Sequence, residues 1–486
     1  MDNQEIRNLE PKKLWNYFAD LNAVPRPSKK EEKVRQFIKN FGNTLHLETL
    51  EDEVGNIVIK KAASPGFEKH KKVVLQSHLD MVCQKNNDIN FDFDIEGIKM
   101  EINGDWVQAK GTTLGADNGV GVATIMSILS SEEIQHPAIE ALFTVDEETG
   151  MTGAFGLKSG LLSGEILLNL DTEEDDEIDI GCAGGIDVTA KGKYTEIEIP
   201  YDYSIYKLVL KGLHGGHSGM EIHKGLGNSN KLLNRFLYDF LDLQIHLISF
   251  DGGGLRNAIP REAEAVFCLM DNQKNKLIQQ FEKLREEIIT EFSTIEENLE
   301  IELTKIEGET SSLNFEDSKK IISAIQAAHN GVYRMSPDIK DLVEASNNIA
   351  RVELKNGEIQ ILCLTRSSVN SSKYWVATSL KAAFELADMK VEFTGSYPGW
   401  KPNPDSEILK LAENIYEKQN KEKPLVMACH AGLECGIIGE KYPGMDMISF
   451  GPTIKGAHSP KEKVSISSVQ KFWEYLLEIL KNIPTK

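Results

Sequence analysis

The sequence is short of cysteine, of basic residues relative to acidic ones, and of long apolar runs. Each shortage removes a class of protein. The six cysteines are scattered at 83, 182, 268, 363, 429 and 435, with no CxxC pair among them. That excludes a disulfide framework and a zinc ribbon, and it suits a reducing, cytoplasmic setting. Lys and Arg number 54 against 75 Asp and Glu, a net charge of −21. Such a surface repels nucleic acid and anionic membranes, so neither is an expected partner. The most apolar run, GVGVATIMSIL at 119–129, falls well short of the roughly 20 residues of a bilayer-crossing helix. The opening MDNQEIRNLEPKKLW is charged and lacks the apolar core of a secretory signal, so a cytoplasmic protein is expected. No low-complexity tract or short repeat is present. What is there is 41% apolar content over 486 residues, enough for a core and too much chain for one ordinary domain.

Apolar periodicity sorts the chain into two textures. EPKKLWNYFADL and KEEKVRQFIKNFG read as amphipathic helices, and VGNIVIKK and KVVLQSHLD as strands. GVGVATIMSILSS is helix-like, and AIEALFTVDEE and GEILLNLDTEE are apolar runs ending in acids. Strands alternating with helices predict an α/β sheet. After IGCAGG (180–185) longer alternating strands appear, such as YKLVLKG and AEAVFCL. Between them Leu232, Leu233, Phe236, Leu237, Phe240 and Leu241 recur at helical spacing, as do Leu277, Phe281, Leu284 and Ile288. VELKNGEIQILCL is a hairpin signal with an Asn356-Gly357 turn. Near 397 the α/β texture returns, with a helix at 405–418, the strand MDMISFG and a final helix at 466–482. The expected organisation is an α/β domain in two parts, 1–186 and 397–486, interrupted by an α+β domain at 187–396.

Four buried-type strands end in polar chemistry. VVLQS leads to His78 and Asp80, ALFTV to Asp146, Glu147 and Glu148, ILLNL to Asp171, and DMISF, after a loop, to His458. Asp117 sits in the Gly-rich turn of TTLGADNGVGVA. Open α/β sheets bind ligands outside the carboxyl ends of their strands, so these groups should converge on one rim. Two imidazoles and several carboxylates are the donors of a pair of divalent cations sharing one carboxylate, zinc above all, with manganese and cobalt also suited. Glu147, beside a ligand, is then free to move a proton. Asp80 can accept the second N–H of a metal-bound His78. Spacing alone does not choose between Asp171 and its acidic neighbours Glu173, Glu174 and Asp175.

The motifs LQSHLDMVCQKN, GTTLGADNGVGVA, TVDEETGMTGA, NLDTEEDDEIDIGCAGG, LHGGHSGMEIHKGLGN, RNAIP and GPTIKGAHSP resemble, in order and spacing, the M20 metallopeptidase family, and within it the branch of Xaa-His dipeptidases. The resemblance implies a zinc-exopeptidase-like α/β/α catalytic domain with an inserted α+β lid domain. It implies His78 and Asp171 on one zinc, Glu148 and His458 on the other, and Asp117 bridging. Asp80 would orient His78, and Glu147 would be the general base. In the insert, His217 of HGGHSG matches a histidine that approaches the substrate's carbonyl oxygen. Asn257 matches a substrate-contacting position, and Arg366 matches an arginine that takes the C-terminal carboxylate. His430 and Glu434, in HAGLECG, fall at a substrate-contacting turn. By themselves the glycines and histidines of HGGHSG read as a bend, and His214 and His223 stay with that reading.

The implied activity is hydrolysis of small unblocked dipeptides, Xaa-His first and β-alanyl-histidine within range. The implied cofactor is two zinc ions and the implied partner a small peptide, with a homodimer through the lid among the assemblies the family uses. A broader di- or tripeptidase and an N-acyl amino acid deacylase are alternatives on the same scaffold. A metal-dependent binding protein without activity is a third, which the complete ligand set and Glu147 argue against.

Overall fold

The structure is a computed structural model describing residues 3–486. It divides into two compact units. The first comprises Met1–Gly181, Pro402–Ala428 and Leu433–Lys486, and the second Cys182–Lys401 and Cys429–Gly432. The joins thus lie about five residues outside those expected at 186/187 and 396/397. The reason is hydrogen bonding: Cys182 and Trp400 exchange backbone hydrogen bonds of 3.0 and 2.9 Å, closing the second unit before its sheet begins at Gly184. Residues 429–432 also belong to that unit, since the Ala183 amide donates to the carbonyls of Cys429 and Ala431.

The first unit is built on an eight-stranded mixed sheet. Its early strands are β1 (Glu48–Glu51), β2 (Ile57–Lys61) and β3 (Val73–His78). After the small-sheet strands β4 (Met100–Asn103) and β5 (Trp106–Ala109) come β6 (Ile139–Thr144), β7 (Ile166–Asn169) and β8 (Glu177–Cys182). Across the sheet the order is β1-β2-β6-β3-β7, then the strand Asp446–Ser449, β8 and the strand Leu425–Cys429. β6, β3, β7 and Asp446–Ser449 are adjacent and mutually parallel. Every residue of β3, β6 and β7 is buried, which is why they read as continuous apolar runs rather than alternating ones. The helices α1 (Lys12–Asn22), α2 (Glu32–Thr44) and α3 (Ala116–Leu129) cover part of this sheet, α3 lying on β3 and α1 on α3. The small sheet joins β4 and β5 to a hairpin made of Ile454–Lys455 and Lys463–Ser465.

The second unit holds a large antiparallel sheet whose long hairpin, Val343–Lys355 with Glu358–Ser367, turns at Asn356 and Gly357. Both turn residues have positive φ, 51° and 73°, the conformation expected of an Asn-Gly turn. Its core takes in Leu232, Leu233, Phe236, Leu237 and Phe240 together with Leu277, Phe281 and Ile288. Leu241 and Leu284 pack at its margin, so the helical periodicity identifies the buried faces of both helices. Among the described residues, no helix is long and apolar enough to cross a membrane.

Helix α3 sits directly on the strands that lead to the rim. A Cβ at Gly121 would lie 2.4 Å from Ser77 Oγ, 2.2 Å from Asn118 Oδ1 and 2.9 Å from the Leu170 carbonyl oxygen. Gly121→Ala is therefore expected to lower stability by about 1–3 kcal/mol through overpacking. Urea unfolding measures this, and an undiminished midpoint would contradict the close approach of α3 to β3.

Candidate metal centre and substrate-facing residues

Four strand ends deliver the acids and imidazoles to one rim. β3 ends on His78, with Asp80 two residues on. Beyond β6 the chain reverses at Asp146, in a left-handed conformation, and enters the short helix Glu147–Gly150, which starts with Glu147 and Glu148. β7 ends two residues before Asp171. His458, with φ of 62°, occupies the loop of the hairpin that follows Asp446–Ser449. Asp117 lies in the first turn of α3 with non-helical dihedrals (φ −81°, ψ 110°), turned away from the helical path.

These side chains form two groups joined by one carboxylate. His78 Nε2 is 3.1 Å from Asp117 Oδ1 and 3.3 Å from Asp171 Oδ1. His458 Nε2 is 3.3 Å from Asp117 Oδ2 and 2.9 Å from Glu148 Oε2. Asp117 thus turns a different oxygen toward each imidazole. Two sets, His78–Asp117–Asp171 and Asp117–Glu148–His458, each place three donor atoms close enough together to hold a metal ion. Glu148 Oε1 is buried and has no hydrogen-bond partner, and such an orphaned oxygen is costly unless something positive meets it. The donor set and this oxygen fit a pair of divalent cations.

The electrostatics point the same way. Hydrogen bonds to Asp117 and Glu148 raise the His458 pKa to about 11. Burial works against protonation of His78, yet Asp171, Asp117 and Asp80 together raise its pKa well above the usual value. Burial likewise opposes ionisation of Asp117, but hydrogen bonds from His458 and His78 hold it well below the ordinary carboxylate range. The rim therefore draws positive charge. Burial, and after it the carboxylates of Asp171, Glu434 and Glu148, push Glu147 well above its ordinary value against the pull of His78. Asp80 Oδ1 is 3.4 Å from His78 Nδ1. Asp80 also accepts the backbone amides of Glu147 (3.0 Å) and Glu148 (3.2 Å) and the Ser28 hydroxyl (2.8 Å). It therefore ties the end of β3 to the helix carrying both glutamates, a wider task than the expected orientation of His78.

Several supporting residues lie outside the sequence reading. Asn118 donates to the Leu170 carbonyl (2.7 Å) and to Asp171 Oδ1, which singles out Asp171 from its acidic neighbours. Beneath the rim runs a buried polar chain. Gln76 and Thr144 donate to Glu434 Oε2 (2.7 and 2.6 Å), Asn169 donates to Gln76, Ser449 donates to Asn169, and Thr172 meets Ser449 at 2.8 Å. Burial raises the Glu434 pKa to about 7, the hydrogen bond from Thr144 opposing it. Glu434 is thus buried beneath strand ends of the first unit, while its sequence neighbour His430 belongs to the second. The signal available in the sequence was the i, i+2 polar spacing Gln76–His78 and Asn169–Asp171.

Within the second unit, His217 and Asn257 come together. Gly216–His217 pairs with Ala258–Ile259, and the Ser218 amide donates to the Asn257 carbonyl at 2.8 Å. His217 Nδ1 accepts the amides of Met220 (3.0 Å) and Gly219 (3.3 Å), which places its proton on Nε2. Burial, then the nearby Arg366 cation, lower its pKa and keep the ring neutral. A Cβ at Gly219 would lie 3.1 Å from His217 Cε1 and 3.2 Å from Arg366 Nε, so these two side chains flank one glycine. Arg366 is buried, donates to the Tyr397 hydroxyl at 3.0 Å, and has no hydrogen-bond partner at Nε. His430 meets Ser346 Oγ at 2.8 Å, and burial followed by Arg366 drives its pKa down to about 3. His214 is bound to Ile295 and Glu296 with its side chain half exposed, and His223 is exposed, in keeping with structural roles.

Comparison with known proteins identifies the family. Over 483 residues the chain is 43% identical to the cytosol non-specific dipeptidase of Escherichia coli K12, spanning 99% of this chain and 100% of that one. Its structure matches that of aminoacylhistidine dipeptidase from Vibrio alginolyticus with a TM-score of 0.95 and 45% identity, covering 100% and 99% of the two chains. Aminopeptidase PepT from Bacillus cereus shares the fold at a TM-score of 0.58 and 17% identity, covering 98% and 99%. The profile of peptidase family M20/M25/M40 matches residues 74–482, from β3 through the final helix. With a strand-end donor set shared through Asp117 and a full-length likeness to two dipeptidases, the chain belongs to peptidase family M20/M25/M40.

Proposed function

We propose that the protein is a cytoplasmic di-zinc dipeptidase hydrolysing short unblocked dipeptides, those with C-terminal histidine among the preferred. The observation that carries this reading is Asp117 facing both imidazoles with separate oxygens, next to a helix that begins with two glutamates. His78, Asp171 and Asp117 would hold one cation, and Glu148, His458 and Asp117 the other. Bound there, a cation pair would polarise the scissile carbonyl and make an attacking water more acidic.

Glu147 receives the proton of that water and delivers it to the leaving amine. Its raised pKa supports this, because a base that must also act as an acid works best near neutral pH. Asp80 keeps Glu147 in place through the Glu147 amide. His217, neutral and with its proton on Nε2, donates to the developing oxyanion. Arg366 pairs with the substrate's terminal carboxylate, for which a guanidinium with an unused N–H is suited. Asn257, paired alongside the His217 segment, contacts the substrate backbone.

The printed names of the two full-length relatives differ in breadth, non-specific in one and aminoacylhistidine in the other. A range wider than Xaa-His is therefore the second reading. A panel of Xaa-His dipeptides, other dipeptides, tripeptides and N-acetyl amino acids separates them. Highest kcat/KM on Xaa-His dipeptides supports the proposal, equal rates across dipeptides support the broader enzyme, and preference for N-acetyl amino acids overturns both. Glu147→Gln should retain two equivalents of zinc by elemental analysis and lose about 10²–10⁴-fold in kcat. Near wild-type turnover would remove Glu147 from proton transfer. His217→Ala should lower kcat by about 10²–10³-fold at unchanged metal content, and an unaltered kcat would take His217 out of the reaction.

A further inference from the structure

Glu462 is 2% exposed in a stretch, SPKEKV, that reads as surface charge. Its carboxylate accepts four successive backbone amides. Oε2 takes Leu114 and Gly115 at 2.7 and 2.9 Å, and Oε1 takes Ala116 and Asp117 at 2.7 and 3.2 Å. The last of these is the amide of the residue that faces both imidazoles. On the carbonyl side of the same turn lies Arg26, also buried. Its guanidinium donates to Gly115 O at 2.6 Å and to the carbonyls of Leu79 and Asp80 at 3.2 Å each. Gly115 has φ of 70°, and a Cβ there would meet Arg26 Nη2 at 2.4 Å, so the turn admits no side chain. An anion on its amides and a cation on its carbonyls grip the turn from both sides, and the two buried charges offset each other.

The same glutamate anchors the other end of the centre. It stands four residues after His458, where the loop returns into the strand Lys463–Ser465, which pairs with β5. The loop is closed internally, the Glu462 amide donating to Ser459 O at 3.0 Å and the Ser459 hydroxyl to Gly456 O at 2.7 Å. One side chain thus ties the His458 loop to the Asp117 turn, and Arg26 ties that turn to the residues following His78.

We infer that Glu462 is a positioning residue for the paired-cation site, fixing the direction in which Asp117 offers its two oxygens. The inference rests on the dinuclear reading given above. Nothing in it requires Glu462 to touch a cation or the substrate. A glutamine at 462 keeps the size but has one acceptor oxygen, and its amide N–H groups would face backbone donors. At least two of the four hydrogen bonds are lost. An aspartate keeps the charge and both acceptors on a shorter arm.

The test uses metal-free full-length protein titrated with cobalt(II), followed by calorimetry and by the visible absorption of the bound ion. Glu462→Gln should bind cobalt at least about tenfold more weakly than wild type, the usual scale for groups that orient ligands, with an altered absorption band. Its kcat should fall and recover as cobalt is raised, with KM little changed. Glu462→Asp should fall between it and wild type. Circular dichroism of the metal-free proteins checks folding, and if the glutamine variant does not fold, the aspartate variant carries the same readouts. Wild-type cobalt affinity and spectrum in the folded variant would overturn the inference, as would an activity loss that excess cobalt leaves untouched. Fewer than two equivalents bound by wild type would instead overturn the dinuclear reading.

Discussion

The repulsion among carboxylates gathered at one end of a parallel sheet is the constraint on which the rest of this structure depends. Asp80, Asp117, Glu147, Glu148 and Asp171 all reach the rim, with Glu434 close beneath it and Glu173 beside it. Left in equivalent surroundings, such a crowd would be held together only by protonation. The fold instead gives each acid a different environment. Asp117 faces two imidazoles and stays ionised, while Glu147 is surrounded by other acids and by apolar burial and is pushed up. Burial takes Glu173 to about 8, with Asp117 and Asp171 adding to the effect. Separating the proton affinities of chemically alike groups lets them take the different roles proposed above, cation ligands on one side and a proton carrier on the other.

The same constraint accounts for the polar layer inside the apolar strands. Side chains two residues apart share a face of a strand, so a rim residue at a strand end places its i−2 neighbour one layer deeper. In VVLQSHLD those positions are Gln76, His78 and Asp80, and in ILLNLD they are Asn169 and Asp171. Gln76 and Asn169 are wholly buried amides, costly unless bonded. They are bonded to each other, and through Glu434, Thr144 and Ser449 to the neighbouring strands. The layer fixes the lateral spacing of the strands directly under the groups that must stay in register. Rim residues on β3 and after β7 are thereby spaced by hydrogen bonds as well as by the backbone ladder.

How much of this was legible follows the range of the interactions. The rim acids and imidazoles could be read because each lies at the end of its own apolar run, a local signal. Helix faces in the second unit and the Asn356-Gly357 turn were legible for the same reason. Asp80 was read as a partner of His78, but its bonds to the amides of Glu147 and Glu148 depend on β6 lying beside β3, which no local pattern states. Arg26, Glu434 and Glu462 were not identified for the roles they play. Their partners lie 89, 358 and 345 residues away in the chain, and a charged side chain looks solvated until its burial is known. The domain joins were displaced because CAGG and PGW carry no periodicity. The bonds that close the unit are those between Cys182 and Trp400.

The second unit meets a different electrostatic demand with the same economy. Arg366 is a buried cation whose nearest imidazoles, His217 and His430, both have depressed proton affinities. Were either ring charged, it would compete with the guanidinium for an anionic ligand. Burial first, and the Arg366 cation after it, keep both rings uncharged, leaving the guanidinium to meet an anion without competition. If that anion is the carboxylate of a dipeptide, the limit on substrate length needs no separate barrier. In a longer peptide an internal amide would take the place of the carboxylate and leave the buried guanidinium without a counter-charge. A site that loses a buried charge pair with the wrong substrate discriminates far more strongly than one that loses apolar contact. Length selection would then rest on the same principle as the rim, a buried charge admitted only where its partner is supplied.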